Sequence, residues 1–306
     1  MSKIKGLDHG YLYTKDNEMR IFRSAYTKSG ITMGSSAFIT IDGVDYSVGA
    51  GDRNIQFDKS DSEMNKVTTL TNLALTGSDD YYLVVGLPIS QLKSQKDKFK
   101  KMILGYNNCE VIYKDKPFKF QINDVLVMPQ GIGALLSLQD VSGNIIIFDF
   151  GGMSIDIAYL EIMYGNPILH KYDTWMQGIQ KIYSKIINQV NEKYNLAYDI
   201  QYAENILVNG LTIYGEKVSN DFLIPTLKQY LNPIIKEFQL NYPSTSTQIY
   251  LCGGSAIIFY ELFKQYFPSV KLMPNSQFSN ALGYYKVGLQ KFGNILNQPQ
   301  VFCTRR

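Results

Sequence analysis

A chain of 306 residues with 45% hydrophobic content is long enough for two packed domains and ordinary for a globular protein. Its 30 basic and 27 acidic residues are scattered and leave a formal charge of +3, which excludes the clustered basic surface that direct nucleic-acid binding requires. Cys109, Cys252 and Cys303 lack the paired spacing of a zinc site, no apolar run is long enough for a membrane span, and the opening MSKIKGLDHG has no apolar signal core, so the expected setting is the reducing cytoplasm, away from membranes.

The first feature along the chain is GLDHGYLYTKDNEMRIF, residues 6–22: a strand-like start, Asp8, a glycine two residues on, a hydroxyl residue and a second strand. His9 adjoins Asp8, but strand neighbours point to opposite faces, so a packing role is expected for it. Spacing near 3.6 predicts helices over 62–75 and 91–104, and short apolar runs predict strands at 81–85 and 125–128. Pro129 and Gln130 follow the second run, and a helix is expected over 132–138.

The stretch NIIIFDFGGMSIDIAYLE, residues 144–161, then repeats the opening design with Asp149, Gly151 and Ser154 before a second strand. A helix over 179–194 follows, and NILVNGLTIYGEKV, residues 205–218, reads as a strand, a turn and a helix start. Pro233 should kink or interrupt the helix expected over 222–238. YLCGGSAIIFYELF, residues 250–263, is a strand ending in Gly253 and Gly254, with Ser255 as the expected N-cap of a helix over 256–267; a last helix is expected over 279–292. Alternating strands and helices give an α/β architecture. Asp156 faces either the core edge or a cleft, His170 and Trp175 fall in a loop without a partner in sequence, and the 23 tyrosines, spread over every element, read as core and interface residues.

A tight glycine turn exposes successive backbone N–H groups, and such nests bind anions. Two such hairpins could grip a polyphosphate, with Asp8 and Asp149 holding Mg²⁺ through its waters, since Mg²⁺ keeps much of its hydration shell. One Asp-x-Gly turn alone is more often a plain hairpin, so this reading leans on the remaining signals. Among them, Gly253 and Gly254 would let a flat base or ribose approach the backbone.

Five segments taken in order resemble the actin-like ATPases, and most closely the plasmid-segregation actins of the ParM type. GLDHGYLYTK is similar to the first phosphate loop, VMPQGIGALLSL to the first connecting segment, IIIFDFGGMSID to the second phosphate loop, YLCGGSA to the adenosine motif and FSNALGYYKVG to the second connecting segment. The resemblance implies a duplicated ribonuclease-H-like fold with two domains flanking a nucleotide cleft: residues 1–148, with 284–306 packing back on them, and residues 149–283. Hinges are implied at 130–133 and 280–283. Carried over, Asp8 and Asp149 become the magnesium-sphere carboxylates. Gly10, Tyr11 and Leu12 offer N–H donors, Lys15 reaches the β-phosphate, and Gly151, Gly152 and Met153 form the second cradle with Ser154 as a hydroxyl donor. Gly253 and Gly254 pack on the adenosine, and Glu216 and Lys217 flank the adenine, although solvated charges explain that pair as well. Tyr11 and Leu12 stand where small hydroxyl residues are common in the family. Gln130 would orient the attacking water, giving slow hydrolysis.

The expected function is therefore an ATPase, with GTP left open as an alternative nucleotide, that assembles head to tail into dynamic filaments. It would move plasmid DNA through an adaptor bound to a centromere-like site. The alternatives are a sugar- or acetate-kinase type phosphotransferase of the same superfamily and an actin-like scaffold with little turnover.

Overall fold

The computed structural model describes residues 2–28, 32–51, 58–138 and 141–296, and the chain forms two compact units, Met1–Gln139 with Phe278–Arg306, and Asp140–Gln277. The expected boundary after residue 148 falls inside a strand that belongs wholly to the second unit. Cys303 and the end of the expected C-terminal segment lie outside the described residues.

The first unit opens with an antiparallel meander of β1 (Lys3–His9), β2 (Tyr13–Asp16) and β3 (Ile21–Arg23). Strands β4 (Tyr26–Thr27), β5 (Ala37–Ile41) and β6 (Val44–Val48) follow. Helix α1 (Glu63–Thr76) starts where the Ser62 side chain accepts from Asn65 N at 3.4 Å, and ends at Gly77 in the left-handed region. Next come β7 (Asp80–Leu87), α2 (Ile89–Gly105), β8 (Val111–Tyr113), β9 (Lys116–Pro117), β10 (Gln121–Pro129) and the short α3 (Ile132–Leu135). The main sheet runs β10-β7-β1-β2-β3, with β7 parallel to both neighbours. A parallel central strand must be covered on both faces, and Tyr81, Leu83, Val84, Val85 and Leu87 are buried accordingly. A second sheet, β4-β6-β5-β8-β9, has no counterpart in the sequence-based expectations.

The second unit repeats the plan. Strands β11 (Gly143–Phe150), β12 (Ile155–Met163) and β13 (Asn166–Trp175) form an antiparallel meander. Helices α4 (Gln180–Tyr194) and α5 (Tyr202–Asn209) follow, then β14 (Leu211–Ile213), β15 (Glu216–Val218), α6 (Ile224–Asn241), β16 (Gln248–Cys252), α7 (Ala256–Lys264) and β17 (Lys271–Leu272). Its sheet runs β13-β12-β11-β16-β17, with β16 parallel to β11 and β17 parallel to β16. Read outward from the meander, both sheets have one order and one set of directions, which is the duplication expected from the two hairpins. Phe148 anchors this core, meeting Phe238 and Phe263 edge-on at 4.7 and 5.1 Å between ring centroids.

Three local expectations are corrected here. Residues 205–209 close a helix rather than form a strand, and 211–218 form a hairpin rather than a helix start. Gly210 ends α5, and Tyr214 and Gly215 supply the two positive φ angles, 50° and 86°, that a tight hairpin turn needs. Pro233 lies inside α6 without interrupting it. Leu227, Leu231, Ile234, Ile235 and Phe238 bury one face on both sides of the proline, so tertiary packing outweighs the lost backbone donor. Ser255 precedes α7 in a helical conformation and makes no side-chain cap bond.

Helix α8 (Ser279–Leu296) returns to the first unit and packs on β1, β7 and α3. Asn280 Oδ1 accepts from Gly131 N at 2.9 Å and Ala134 N at 3.1 Å, satisfying donors at the start of α3. The buried Tyr284 ring sits against Gly86 and Gly133, and a Cβ on Gly283 would meet Gly133 O at 1.7 Å. The segments expected as hinges, 130–133 and 280–283, are thus packed on one another within one unit. The crossings between units come at 139/140 and 277/278.

Candidate nucleotide site

In the first unit, Asp8 lies near the end of β1, in register with Lys15 on β2, so the hairpin itself pairs them: Lys15 Nζ is 3.3 Å from Asp8 Oδ2. Gln130 directly follows β10 and donates through Nε2 to Asp8 Oδ1 at 2.9 Å. The fold has therefore brought together Asp8, Lys15 and Gln130, three of the residues singled out in sequence. A fourth member was not anticipated. Lys59, in a 3-10 turn at Lys59–Asp61, donates to His9 O at 2.6 Å and Gln130 Oε1 at 3.5 Å, and lies 4.8 Å from the centre of the Tyr11 ring. No motif surrounds it, and its role is set by tertiary position alone.

Burial works against ionisation of Asp8, but the Lys15 and Lys59 charges and the Gln130 bond outweigh it and hold the carboxyl below its ordinary range. His9 points away, with Nε2 2.8 Å from Thr69 Oγ1 and its ring edge-on to Phe99. Burial, then the Lys59 charge, push its pKa down to about 4. On the far side of the hairpin Asp16 is buried against Lys5 at 2.7 Å and takes further bonds from Arg20 and Asn72. Burial opposes its charge too, and these partners depress it nonetheless.

These shifts have a defined sign. An unfolded histidine takes a proton near pH 6.5 that folded His9 refuses until about 4, so the folded state loses stability as the pH falls between them. Asp8 and Asp16, depressed when folded, contribute stability that is present above the unfolded carboxylate value of about 4 and is lost below it. Urea unfolding of the wild type should therefore show a loss of about 2–3 kcal/mol between pH 7 and pH 4 from His9 alone. His9→Gln should flatten that limb and leave the steeper fall below pH 4; an unchanged limb would assign it to other groups.

The turn from β1 to β2 holds its carbonyls inward: Ser24 Oγ donates to Gly10 O at 2.7 Å and Ser24 N to Leu12 O at 2.9 Å. The N–H groups of Gly10 and Leu12 donate to no protein acceptor among the described residues. A Cβ at Gly10 would lie 2.7 Å from Tyr13 O, so the turn requires glycine.

The second turn is built alike. Gly151 N donates to Ser154 O at 2.9 Å, while the carbonyls of Gly151, Gly152 and Met153 accept from Ile179, Gln180 and Gly178 at the start of α4. The N–H groups of Gly152, Met153 and Ser154 are left without a protein acceptor among the described residues. Asp149 is buried at the end of β11, opposite Asp156 and beside Cys252. Asp156 accepts from Thr174 Oγ1 at 2.6 Å and from Ser154 Oγ at 3.5 Å, which fixes the base of the turn. Gly253, at φ 89°, has no room for a side chain: its Cβ would meet Asp149 Oδ1 at 2.4 Å and Phe150 O at 2.6 Å. Of the glycine pair it is Gly254 that has space, its nearest neighbour being Gln277 at 3.7 Å.

Glu216 and Lys217 are exposed on β15, in a separate two-stranded sheet, and no hydrogen bond or ion pair described joins them to these turns. His170 is on strand β13 rather than in a loop, 3.2 Å from Glu161, and Trp175 ends the same strand against the core. No cluster of three or more His, Cys, Asp or Glu side chains able to hold a metal occurs among the described residues. Each turn, taken by itself, offers one carboxylate beside unpaired N–H groups, which suits a hard cation held through water and ligand phosphate rather than an all-protein cage. No helix among the described residues is long and apolar enough to cross a membrane.

Comparison with known proteins bears on the fold. Residues 6–133 match the family model described as actin like proteins N terminal domain. The crystal structure of Ta0583, an archaeal actin homolog, superposes with a TM-score of 0.79 at 20% identity, covering 94% of this chain and 99% of that one. The same homolog in complex with ADP gives 0.78 at 19% identity over the same shares. A 15-stranded ParM filament from Clostridium botulinum gives 0.75 at 21% identity, covering 95% of this chain and 100% of that one. No curated protein sequence matches the chain. At these identities the likeness is one of fold: the chain has the actin-like α/β fold, and ParM-type proteins are among its structural neighbours.

Proposed function

We propose that this chain, actin-like in fold, is a nucleotide-dependent ATPase that assembles head to tail into dynamic filaments. The observation that carries the proposal is the repeated turn, in which carbonyls are tied back and N–H groups are left to an anion beside a buried carboxylate. Each unit carries one such turn, and the donors of each suit the oxygens of a bound phosphate. Gly10 and Leu12 donate from the first, Gly152, Met153 and Ser154 from the second, and Lys15 adds charge at the first. Gly254 gives the adenosine its closest approach to the backbone, and Glu216 and Lys217 remain candidates for the adenine edge.

Asp8 and Asp149 would hold Mg²⁺ through water, and bound Mg²⁺ would offset charge that develops on the phosphate oxygens. Gln130 orients the attacking water, and because a neutral amide is a poor base, turnover is slow. The structural likeness to a ParM filament and to an ADP-bound homolog supports assembly and the nucleotide class. The weak, scattered charge supports a DNA-bound adaptor rather than direct contact with a plasmid.

Sedimentation and light scattering at micromolar protein, with Mg²⁺ and ATP, GTP, a non-hydrolysable ATP analogue, ADP or no nucleotide, provide the test. Assembly is expected with ATP and the analogue, reversing only with ATP as phosphate is released, and chelating Mg²⁺ should prevent it. If no condition gives polymer, and hydrolysis rises with an added sugar or carboxylic acid at dilute protein, the chain is a phosphotransferase instead.

A further inference from the structure

Charge that is scattered along the sequence is uneven once it is placed on the fold. The second unit holds 12 acidic against 9 basic residues, so the whole surplus belongs to the first, with 21 basic against 15 acidic. Most of that surplus sits on one helix: between Lys93 and Lys101, α2 carries five lysines and a single acid, Asp97. Phe99 and Ile103 are buried in the core of the first unit, which turns Lys93, Lys96 and Lys101 out to solvent. Lys98 lies 3.6 Å from Asp58 and Lys100 2.7 Å from Asp124, so these two meet carboxylates within the unit. Lys93, Lys96 and Lys101 have no hydrogen bond or ion pair among the described residues. Lys93 and Lys96 are three apart and Lys96 and Lys100 four apart, spacings at which like charges repel, and the first turn has no acid where the helix dipole would favour one. An anionic partner would reverse these small costs.

Nucleic acid, membrane and protein all offer anions, and the chemistry of the surface selects among them. Nucleic-acid sites favour arginine forks and aromatic rings that stack on bases, but the cations of α2 are all lysine and its one aromatic ring, Phe99, is fully buried. A membrane-bound helix presents large apolar side chains to the lipid, whereas Leu92, Met102 and Leu104 pack against the core. Carboxylates on an extended chain do fit. Lysine is a point charge on a flexible stem and needs no fixed partner geometry. From Lys93 to Lys101 the helix rises about 12 Å, the reach of about four extended residues.

We propose that the lysine face of α2 is a docking surface for an extended, acidic segment of a partner protein. Lys93, Lys96 and Lys101 supply the charge, and the helix, fixed from behind by Phe99 and Ile103, supplies a rigid platform. Contacts of this kind are exposed and electrostatic, so each is weak, association is fast, and salt screens the whole. Neither nucleotide nor assembly is needed for such docking.

The test is fluorescence anisotropy of a labelled polyglutamate of about twenty residues on the full chain, without nucleotide, at about 50 and about 300 mM salt. The wild type should bind at the lower salt and weaken about tenfold or more at the higher. Lys93→Gln, Lys96→Gln and Lys101→Gln combined should weaken binding about tenfold or more at the lower salt, as expected for three exposed ion pairs. Arginine at the same three positions keeps the charge and should stay within about threefold of wild type. Lys181→Gln, Lys228→Gln and Lys236→Gln combined remove as much charge from the second unit and should change binding less than about twofold. All six lysines are exposed, so every variant should fold as the wild type does. Equal weakening by the two glutamine variants would show attraction to net charge alone and overturn the assignment, as would a wild type that does not bind. Duplex DNA and vesicles containing phosphatidylserine are measured in parallel. Tighter binding to either one than to polyglutamate, lost in the α2 glutamine variant, would overturn it in favour of nucleic acid or membrane.

Discussion

Asp8→Asn is expected to slow ATP hydrolysis by about 10²- to 10³-fold, the size of effect seen when one electrostatic element of a preorganised site is removed. The substitution keeps the shape of the side chain and removes only its charge. Lys15, Lys59 and the Gln130 amide then converge on a neutral group, and the two lysines are left as buried cations without their shared anion. Stripping one partner from a buried ion pair costs about 3–5 kcal/mol, so the melting temperature should fall as well. The two effects are separable by measuring hydrolysis well below the melting transition, where the variant is fully folded. Asp156→Asn is the internal contrast, because Asp156 accepts from the hydroxyls of Thr174 and Ser154 at the base of the other turn. It should lower stability with a smaller effect on turnover. Hydrolysis by Asp8→Asn within about threefold of wild type would remove Asp8 from the chemistry.

The second large effect is expected in α8. Gly283→Val places a Cβ where Gly133 O lies 1.7 Å away, and the obstructing atom is backbone rather than the end of a mobile side chain. Either α8 or α3 must shift, and the Asn280 bonds to Gly131 and Ala134 and the seat of Tyr284 shift with it. Overpacking of this kind usually costs about 1–3 kcal/mol, and loss of the Asn280 contacts adds about 1–2 kcal/mol more. Gly293, in the same helix, would carry a Cβ with nothing within 4 Å of it. Gly293→Ala should therefore stabilise by about 0.5–1 kcal/mol through helix propensity. Thermal unfolding of both variants beside the wild type checks the pair. Equal and small effects would show that close packing at Gly283 is not what holds α8.

Much of the scaffold was legible because the central strands carry continuous apolar runs. β7, β10, β11 and β16 all stand where short β-branched stretches were found, and the two Asp-containing hairpins announced the duplication. The sheet β4-β6-β5-β8-β9 was not legible, since its strands are two to five residues long and half exposed, leaving little periodicity. Residues 205–208, Asn-Ile-Leu-Val, suit strand or helix equally, and only Gly210 with the Tyr214–Gly215 turn decides between them. At the candidate site, Asp8 and Gln130 were named separately, 122 residues apart, and the fold joins them in one hydrogen bond. Lys59 could not have been found this way. A lysine among two serines and two aspartates reads as solvated surface, and only burial against His9 O and Gln130 reveals otherwise.

The first unit is made from two separated pieces of chain, whereas the second is one continuous piece. During synthesis the second unit can therefore complete its sheet and core as soon as residue 277 has emerged. The first must wait for α8, and at ordinary elongation rates the delay after residue 139 is roughly ten to thirty seconds. Throughout that interval the face of β1 and β7 that receives Tyr284 and Phe292, around Ile4 and Val84, is bare. The nascent chain thus reaches its completed state from the middle outward, and any holding factor in the cell would be needed at the N-terminal half, which leaves the ribosome first and is finished last.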